Sequence, residues 1–147
     1  MNDYKIRPAI TDDFKFVTSS WVQSYRKHPD IEYNTYNAYQ NQLVRNILDR
    51  AITIVATDNE DSNQILAWIC VEPISDSLCF HWGYTKAIYR NLGIQKNLIA
   101  KLNKPLIYFT HRPSNDAWLM KRMKDQGIEH CPYLAFNEMR IHGREKV

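Results

Sequence analysis

The sequence predicts a mixed α/β (α+β) fold, with a mostly antiparallel central sheet of six to seven strands flanked by about four helices. Three observations predict it. Short β-branched and apolar runs bounded by polar turns alternate with stretches whose apolar residues recur at three- and four-residue spacing. The stretch Tyr84-Thr85-Lys86-Ala87-Ile88-Tyr89-Arg90-Asn91-Leu92-Gly93-Ile94-Gln95 reads as the end of a strand, a short loop and the opening of a helix, and the other elements are ordered around it. The chain has 147 residues, 44% apolar and 24% charged, enough to bury one core in a single domain over residues 1–147 and unlike the composition of a disordered chain.

Taken in order, Tyr4 to Ile10 alternates around Ile6 and reads as a first strand, with Pro8 marking an edge or a strand end. Thr11 is expected to cap a first helix, because Asp12 and Asp13 suit its first turn and Phe14, Val17, Trp21 and Tyr25 form an apolar stripe that stops before Pro29. A second helix is expected over Thr35 to Arg50 with Tyr36, Leu43 and Ile47 inward, leaving Lys27 to Asn34 as a substrate-side loop. Ala51 to Thr57 and Ile65 to Val71, separated by a polar turn, read as an antiparallel hairpin. Leu78 to Thr85 supplies the strand that feeds the loop, and Ile94, Leu98, Ile99 and Leu102 mark the helix after it. Pro105 to Thr110 is apolar at successive positions, as a strand covered on both faces should be. Pro113 and Ser114 open a fourth helix through Trp118, Leu119 and Met123 that Gly127 closes, and Glu129 to Cys131 with Phe136 to Ile141 would form a terminal hairpin around Pro132.

A loop feeding a helix start is an anion site. Backbone N–H groups there lack intrahelical partners and the macrodipole adds partial positive charge. Arg90 and Lys96 would add charge-assisted bonds to a phosphate, and Gly93 lets the main chain come close. The loop resembles that of the GNAT acyltransferase superfamily, whose coenzyme A pyrophosphate loop follows Arg/Gln-x-x-Gly-x-Gly/Ala after the fourth strand. Tyr89, Arg90 and Gly93 match it, Ile94 and Leu98 fit its helix, and Gln95 stands where the family prefers Gly or Ala. The element order resembles the GNAT order over essentially the whole chain. The resemblance implies acetyl-CoA as co-substrate, held by Tyr84, Thr85, Arg90, Asn91, Leu92, Gly93, Ile94, Gln95 and Lys96, with Asn115 near the next helix start against pantetheine. It also implies that the fourth and fifth strands splay apart around the pantetheine arm, which here concerns Trp82 to Thr85 and Tyr108 to His111.

Acyl transfer to an amine needs a neutral nucleophile, a polarised thioester carbonyl and a proton for the departing thiolate. The family's usual acid is a tyrosine four residues before the helix-closing glycine, and Met123 occupies that position, so Tyr108 and Tyr133 are the substitutes, each also readable as a core or hairpin tyrosine. Glu72 and His81 are the candidate bases, readable otherwise as a solvated strand-end carboxylate and a satisfied sheet histidine. Cys79 with His81, and His130 with Cys131, lack the spacing of a zinc site, and no signature of a covalent nucleophile is present, so no metal is expected. Cys70, Cys79 and Cys131 are expected as free buried thiols in a reducing, cytoplasmic setting. A net charge of +3 from scattered Lys and Arg predicts no specific nucleic-acid partner. Charges at Asp3, Lys5, Arg7, Asp12 and Asp13 argue against a signal peptide, and no apolar run is long enough to span a membrane.

Two functions follow. The first is acetyl transfer from acetyl-CoA to a small-molecule or peptide amine. The second is a catalytically degenerate GNAT-fold structural component, for example of a viral particle or a multiprotein complex, suggested by Met123 and Gln95. A homodimer or an assembly partner is compatible with either.

Overall fold

A computed structural model describes residues 3–26, 33–111 and 123–136. Among these, six strands form one sheet in chain order: β1 (Tyr4–Pro8), β2 (Ile52–Asp58), β3 (Ile65–Ile74), β4 (Ser77–Thr85), β5 (Leu106–Phe109) and β6 (Glu129–His130). The first four are antiparallel neighbours, whereas β4, β5 and β6 run parallel, because each pair is joined by a crossover long enough to reverse the chain. Helices α1 (Phe14–Arg26), α2 (Tyr33–Arg50) and α3 (Ile94–Lys101), and a helical turn at residues 123–125, cover its faces.

Alternation along the strands divides the core into two layers. Ile54, Ala56, Ile69 and Phe80 face Ile94, Leu98 and Met123 on one side, whereas Val55, Trp68, Cys70 and Trp82 face Val17, Trp21, Val44 and Ile47 of α1 and α2 on the other. Burying side chains such as Trp21, Trp68 and Leu98 at about 25 cal/mol per Å² of apolar surface is the main force holding both layers.

Several expectations are corrected. The first strand ends at Pro8, and Thr11 starts a 3-10 turn over Thr11–Asp13 instead of capping a helix. Asp13 caps it: its Oδ2 accepts from the Ile10 N–H at 2.8 Å while Arg7 donates to both carboxylate oxygens. β3 runs three residues past Val71, so Glu72 lies inside the sheet and not at its end. β5 is half-buried except at Phe109, against the expected double cover. The turn around Pro132 is a 3-10 helix, Pro132–Ala135, and β6 is short, Glu129–His130, and pairs in parallel with β5. Gly127 does end the fourth helix, at a φ of 73°, with Ile128 N–H reaching back to the Met123 carbonyl at 2.8 Å. The expectations at Lys27 to Asp30, Ile31, Glu32, Pro113, Ser114, Asn115, Trp118 and Leu119, the Tyr36 side chain and the strand beyond Phe136 lie outside the described residues.

Candidate functional site

Two irregularities in β4 and β5 create the site. Cys70 pairs with Trp82 and Val71 with Phe80, so His81 is an extra residue in β4, a β-bulge that puts His81 and Trp82 on the same face. Phe80 is also the last β4 residue that β5 follows: Phe80 pairs with Phe109, and the Thr110 N–H donates to the Phe80 carbonyl at 3.0 Å. Beyond that rung β4 continues to Thr85 while β5 ends at Phe109, and His81, Thr110 and His111 lie where the pairing stops.

A hydrogen-bonded line of side chains crosses this point. His81 Nε2 lies 2.9 Å from Glu72 Oε1, His81 Nδ1 lies 2.9 Å from Thr110 Oγ1, and Thr110 Oγ1 lies 2.9 Å from His111 Nδ1. Glu72 is 2% exposed, His81 0%, Thr110 4% and His111 5%. Arg50, at the end of α2, donates from Nε toward both Glu72 oxygens at 3.3 Å, and from its second terminal nitrogen to the carbonyls of Leu134 and Ala135. A buried carboxylate needs such partners, since an isolated buried charge is costly. His111 is boxed by Trp21, Tyr25 and Trp82, with ring centroids 5.0–6.2 Å away. Burial first, then the nearby His81 and His130 rings, push its pKa down to about 3. Burial pushes the Cys70 thiol up to about 12, which leaves it no nucleophile at neutral pH.

Of the sequence-predicted catalytic residues, the fold brings together Glu72 and His81. The alternative of a solvated carboxylate does not hold for Glu72, which is buried, whereas His81, buried and bonded through both ring nitrogens, also fits its alternative of a satisfied sheet histidine. Tyr108 pairs with Cys79 where β4 and β5 are still joined and stays half-buried, while Tyr133 is 64% exposed on the 3-10 turn at Pro132–Ala135. Met123 is a core residue packed with Ile94, Leu98 and Phe109, so its place holds no proton donor and faces the layer opposite Glu72. Thr110 and His111, which join this line, were not among the candidate catalytic residues. The signal was a polar Thr-His pair directly after an apolar strand, but only the bulge at His81 gives it meaning.

The loop beyond β4 has the expected form. A 3-10 turn, Ala87–Tyr89, leads to Arg90, then Asn91 and Gly93 take left-handed φ values of 66° and 78°, and α3 starts at Ile94 with Gly93 at its N-cap. Its first intrahelical bond is Asn97 N–H to the Gly93 carbonyl, so the N–H groups of Ile94, Gln95 and Lys96 precede the ladder. Arg90 donates from Nε to the Thr85 carbonyl at 2.9 Å and lies over the Tyr84 ring. Gln95 turns into the sheet: its amide donates to the Trp68 and Tyr84 carbonyls at 3.2 Å and to Thr85 Oγ1 at 3.1 Å. Gly83 permits this, because a Cβ there would lie 2.4 Å from Gln95 Oε1. Leu92, Lys96 and Asn91 are exposed around the same loop. No group of His, Cys, Asp or Glu among the described residues could hold a metal ion, the three cysteines are free, and no described helix is long and apolar enough to cross a membrane.

No protein-family model matches the chain, and no curated protein sequence does. Solved structures do. The chain is similar to a possible acetyltransferase from Clostridium difficile 630, at 12% identity and a TM-score of 0.57, over 87% of this chain and 91% of that one. It is also similar to a GNAT family acetyltransferase from Brucella melitensis in complex with acetyl-CoA, at 15% identity and a TM-score of 0.52, over 70% of this chain and 68% of that one. A third is the PaiA N-acetyltransferase from Thermoplasma acidophilum in complex with coenzyme A, at 15% identity and a TM-score of 0.52, over 85% and 74%. The fold is therefore the GNAT acyl-CoA N-acyltransferase fold.

Proposed function

We propose that this protein is an acyl-CoA-dependent N-acetyltransferase that uses acetyl-CoA as co-substrate and an amine, small-molecule or peptide, as acceptor. The observation that carries the reading is a β4 strand that outruns its β5 partner, with the buried Glu72–His81 pair where that pairing stops and an open helix start at Gly93 beyond the strand's end. The neighbours solved with acetyl-CoA or coenzyme A support it by their fold.

In this reading the Ile94, Gln95 and Lys96 N–H groups hold the pyrophosphate, with Lys96 and Arg90 adding charge and Asn91, Leu92, Tyr84 and Thr85 lining the approach. Gln95 acts from behind, fixing the loop to β3 and β4 instead of crowding the phosphate. The pantetheine arm runs along β4 past Phe80, and the thioester stops at the outer end of the His81–Thr110–His111 line. The amine attacks the thioester carbonyl, the N–C bond forms, and the C–S bond breaks with its electron pair on sulfur. The Glu72–His81 pair serves as the base, with Glu72 holding Nε2–H so that Nδ1 keeps its lone pair. Tyr108 and Tyr133 are left without a role in proton transfer, and Asn115 remains a pantetheine contact only by resemblance. Titration calorimetry with acetyl-CoA tests the reading. Binding with thiol release on adding amines supports it, and absence of binding favours a structural GNAT-fold component of an assembly.

A further inference from the structure

The hydrogen bonds along this line fix where each proton sits. Glu72, paired with Arg50, accepts from His81, so Nε2 of His81 carries a proton and, in the neutral ring, Nδ1 is a bare acceptor. Thr110 has one hydroxyl proton and must give it to that nitrogen, which leaves its oxygen to accept from Nδ1–H of His111. Neutral His111 then presents a bare Nε2. The opposite polarity, with Thr110 donating to His111, requires His81 to be an imidazolium against Glu72. The chain thus has two self-consistent states, and they differ by one proton entering at His111 Nε2 and one arriving at His81 Nδ1.

We propose that His111 is the outer end of a proton relay running through Thr110 and His81 to Glu72, and that His111 Nε2 takes the proton from the acceptor amine. The proposal rests on the acetyltransferase reading for its chemical purpose. As the N–C bond forms, the amine proton passes to His111 Nε2, the Nδ1 proton of His111 moves to Thr110, and the Thr110 proton moves to His81 Nδ1. When the C–S bond breaks, the line runs backward and His111 Nε2 returns the proton to sulfur, so the reaction needs no other reactant. The charged and titratable groups around the line favour this direction. His111 faces Tyr25 from α1, His81 from β4 and His130 from β6; a hydrogen bond to the His81 main chain favours its charged form, but burial and the His81 and His130 rings outweigh it and hold the ring low. His81 faces the Glu72 carboxylate, which does. A buried proton therefore rests at the inner end. The surrounding Trp21, Tyr25 and Trp82 rings keep water from short-circuiting the line.

The test is long-range 1H–15N NMR of the histidine side chains across about pH 4 to 8. The neutral protein should show His81 as Nε2–H and His111 as Nδ1–H. One shared midpoint should convert His81 to imidazolium while His111 switches to Nε2–H. Thr110→Val, which replaces the hydroxyl with a methyl of similar size, should uncouple the two rings, and Thr110→Ser should restore the shared midpoint. With acetyl-CoA and a panel of amines, Thr110→Val should release thiol at least about 10-fold more slowly at an unchanged acetyl-CoA Kd. Separate midpoints in the wild type, or His111 as Nε2–H on both sides of the His81 titration, overturn the relay even if acetyl-CoA binds. Failure of the wild type to bind acetyl-CoA overturns the acetyltransferase reading, and with it the role of His111, even if the shared titration is found.

Discussion

Glu72 Oε1 and His81 Nε2 lie 2.9 Å apart inside the sheet, and both side chains are closed off from solvent. Their meeting depends on the bulge that turns His81 onto the face of Trp82 and Cys70, and on Arg50, which reaches the same carboxylate from α2. Arg50→Ala should lower stability by about 3–5 kcal/mol, because it leaves a buried carboxylate without its cation. Arg50→Leu combined with Glu72→Leu should cost less than Arg50→Ala alone. Urea unfolding of the variants checks this, and a cost below about 1 kcal/mol for Arg50→Ala would mean the pair is solvated.

Stability should fall in acid. The folded pKa of His111 is depressed to about 3, whereas an unfolded histidine titrates near 6.5, so between those values the unfolded chain binds the extra proton. The stability His111 contributes is therefore present above the unfolded value and is lost as pH falls from about 6.5 toward 3, amounting to about 2–3 kcal/mol by about pH 4.5. Urea midpoints against pH should show this slope in the wild type and a shallower one in His111→Gln.

Gly83 and Gln95 form a fitted pair. Gly83→Ala puts a Cβ 2.4 Å from Gln95 Oε1 and 2.9 Å from Phe80 Cζ, so the amide must leave the Trp68 and Tyr84 carbonyls. We expect a loss of about 1–3 kcal/mol and weaker acetyl-CoA binding, since the loop loses its fastening to β3 and β4. Gln95→Ala should weaken binding similarly, read by calorimetry.

At the helix start, Gly93→Glu should abolish acetyl-CoA binding, because its carboxylate enters the space an anion needs. Gly93→Asn should retain most of it, since Asn tolerates the left-handed φ of 78°. Arg90→Ala should weaken binding more than Lys96→Ala, because Arg90 also braces Thr85 and Tyr84 at the loop start. Equal small losses would mark both as surface charges.

The element order and the loop were legible because β-branched runs, polar turns and a glycine at position 93 are local signals, and Ile94 and Leu98 show their buried face by spacing alone. The candidate site was legible in pieces. Glu72 and His81 could be named as bases, but their contact depends on one extra residue in β4 and on Arg50 arriving from 22 positions away, neither of which has a local signature. Thr11 suggested a cap that Asp13 provides, since the longer-range pull of Arg7 on Asp13 is invisible to pattern. His111 escaped notice because a histidine after a strand is ordinary until Trp21, Tyr25 and Trp82 close around it.

The most direct test of the acetyltransferase account is isothermal calorimetry of the wild-type protein with acetyl-CoA, paired with its melting curve at about a hundredfold excess over Kd. The account predicts saturable binding at one site per chain, and a stabilisation of about 2.7 kcal/mol seen as a higher Tm. No heat and no shift for the wild type, with the protein folded, would contradict it.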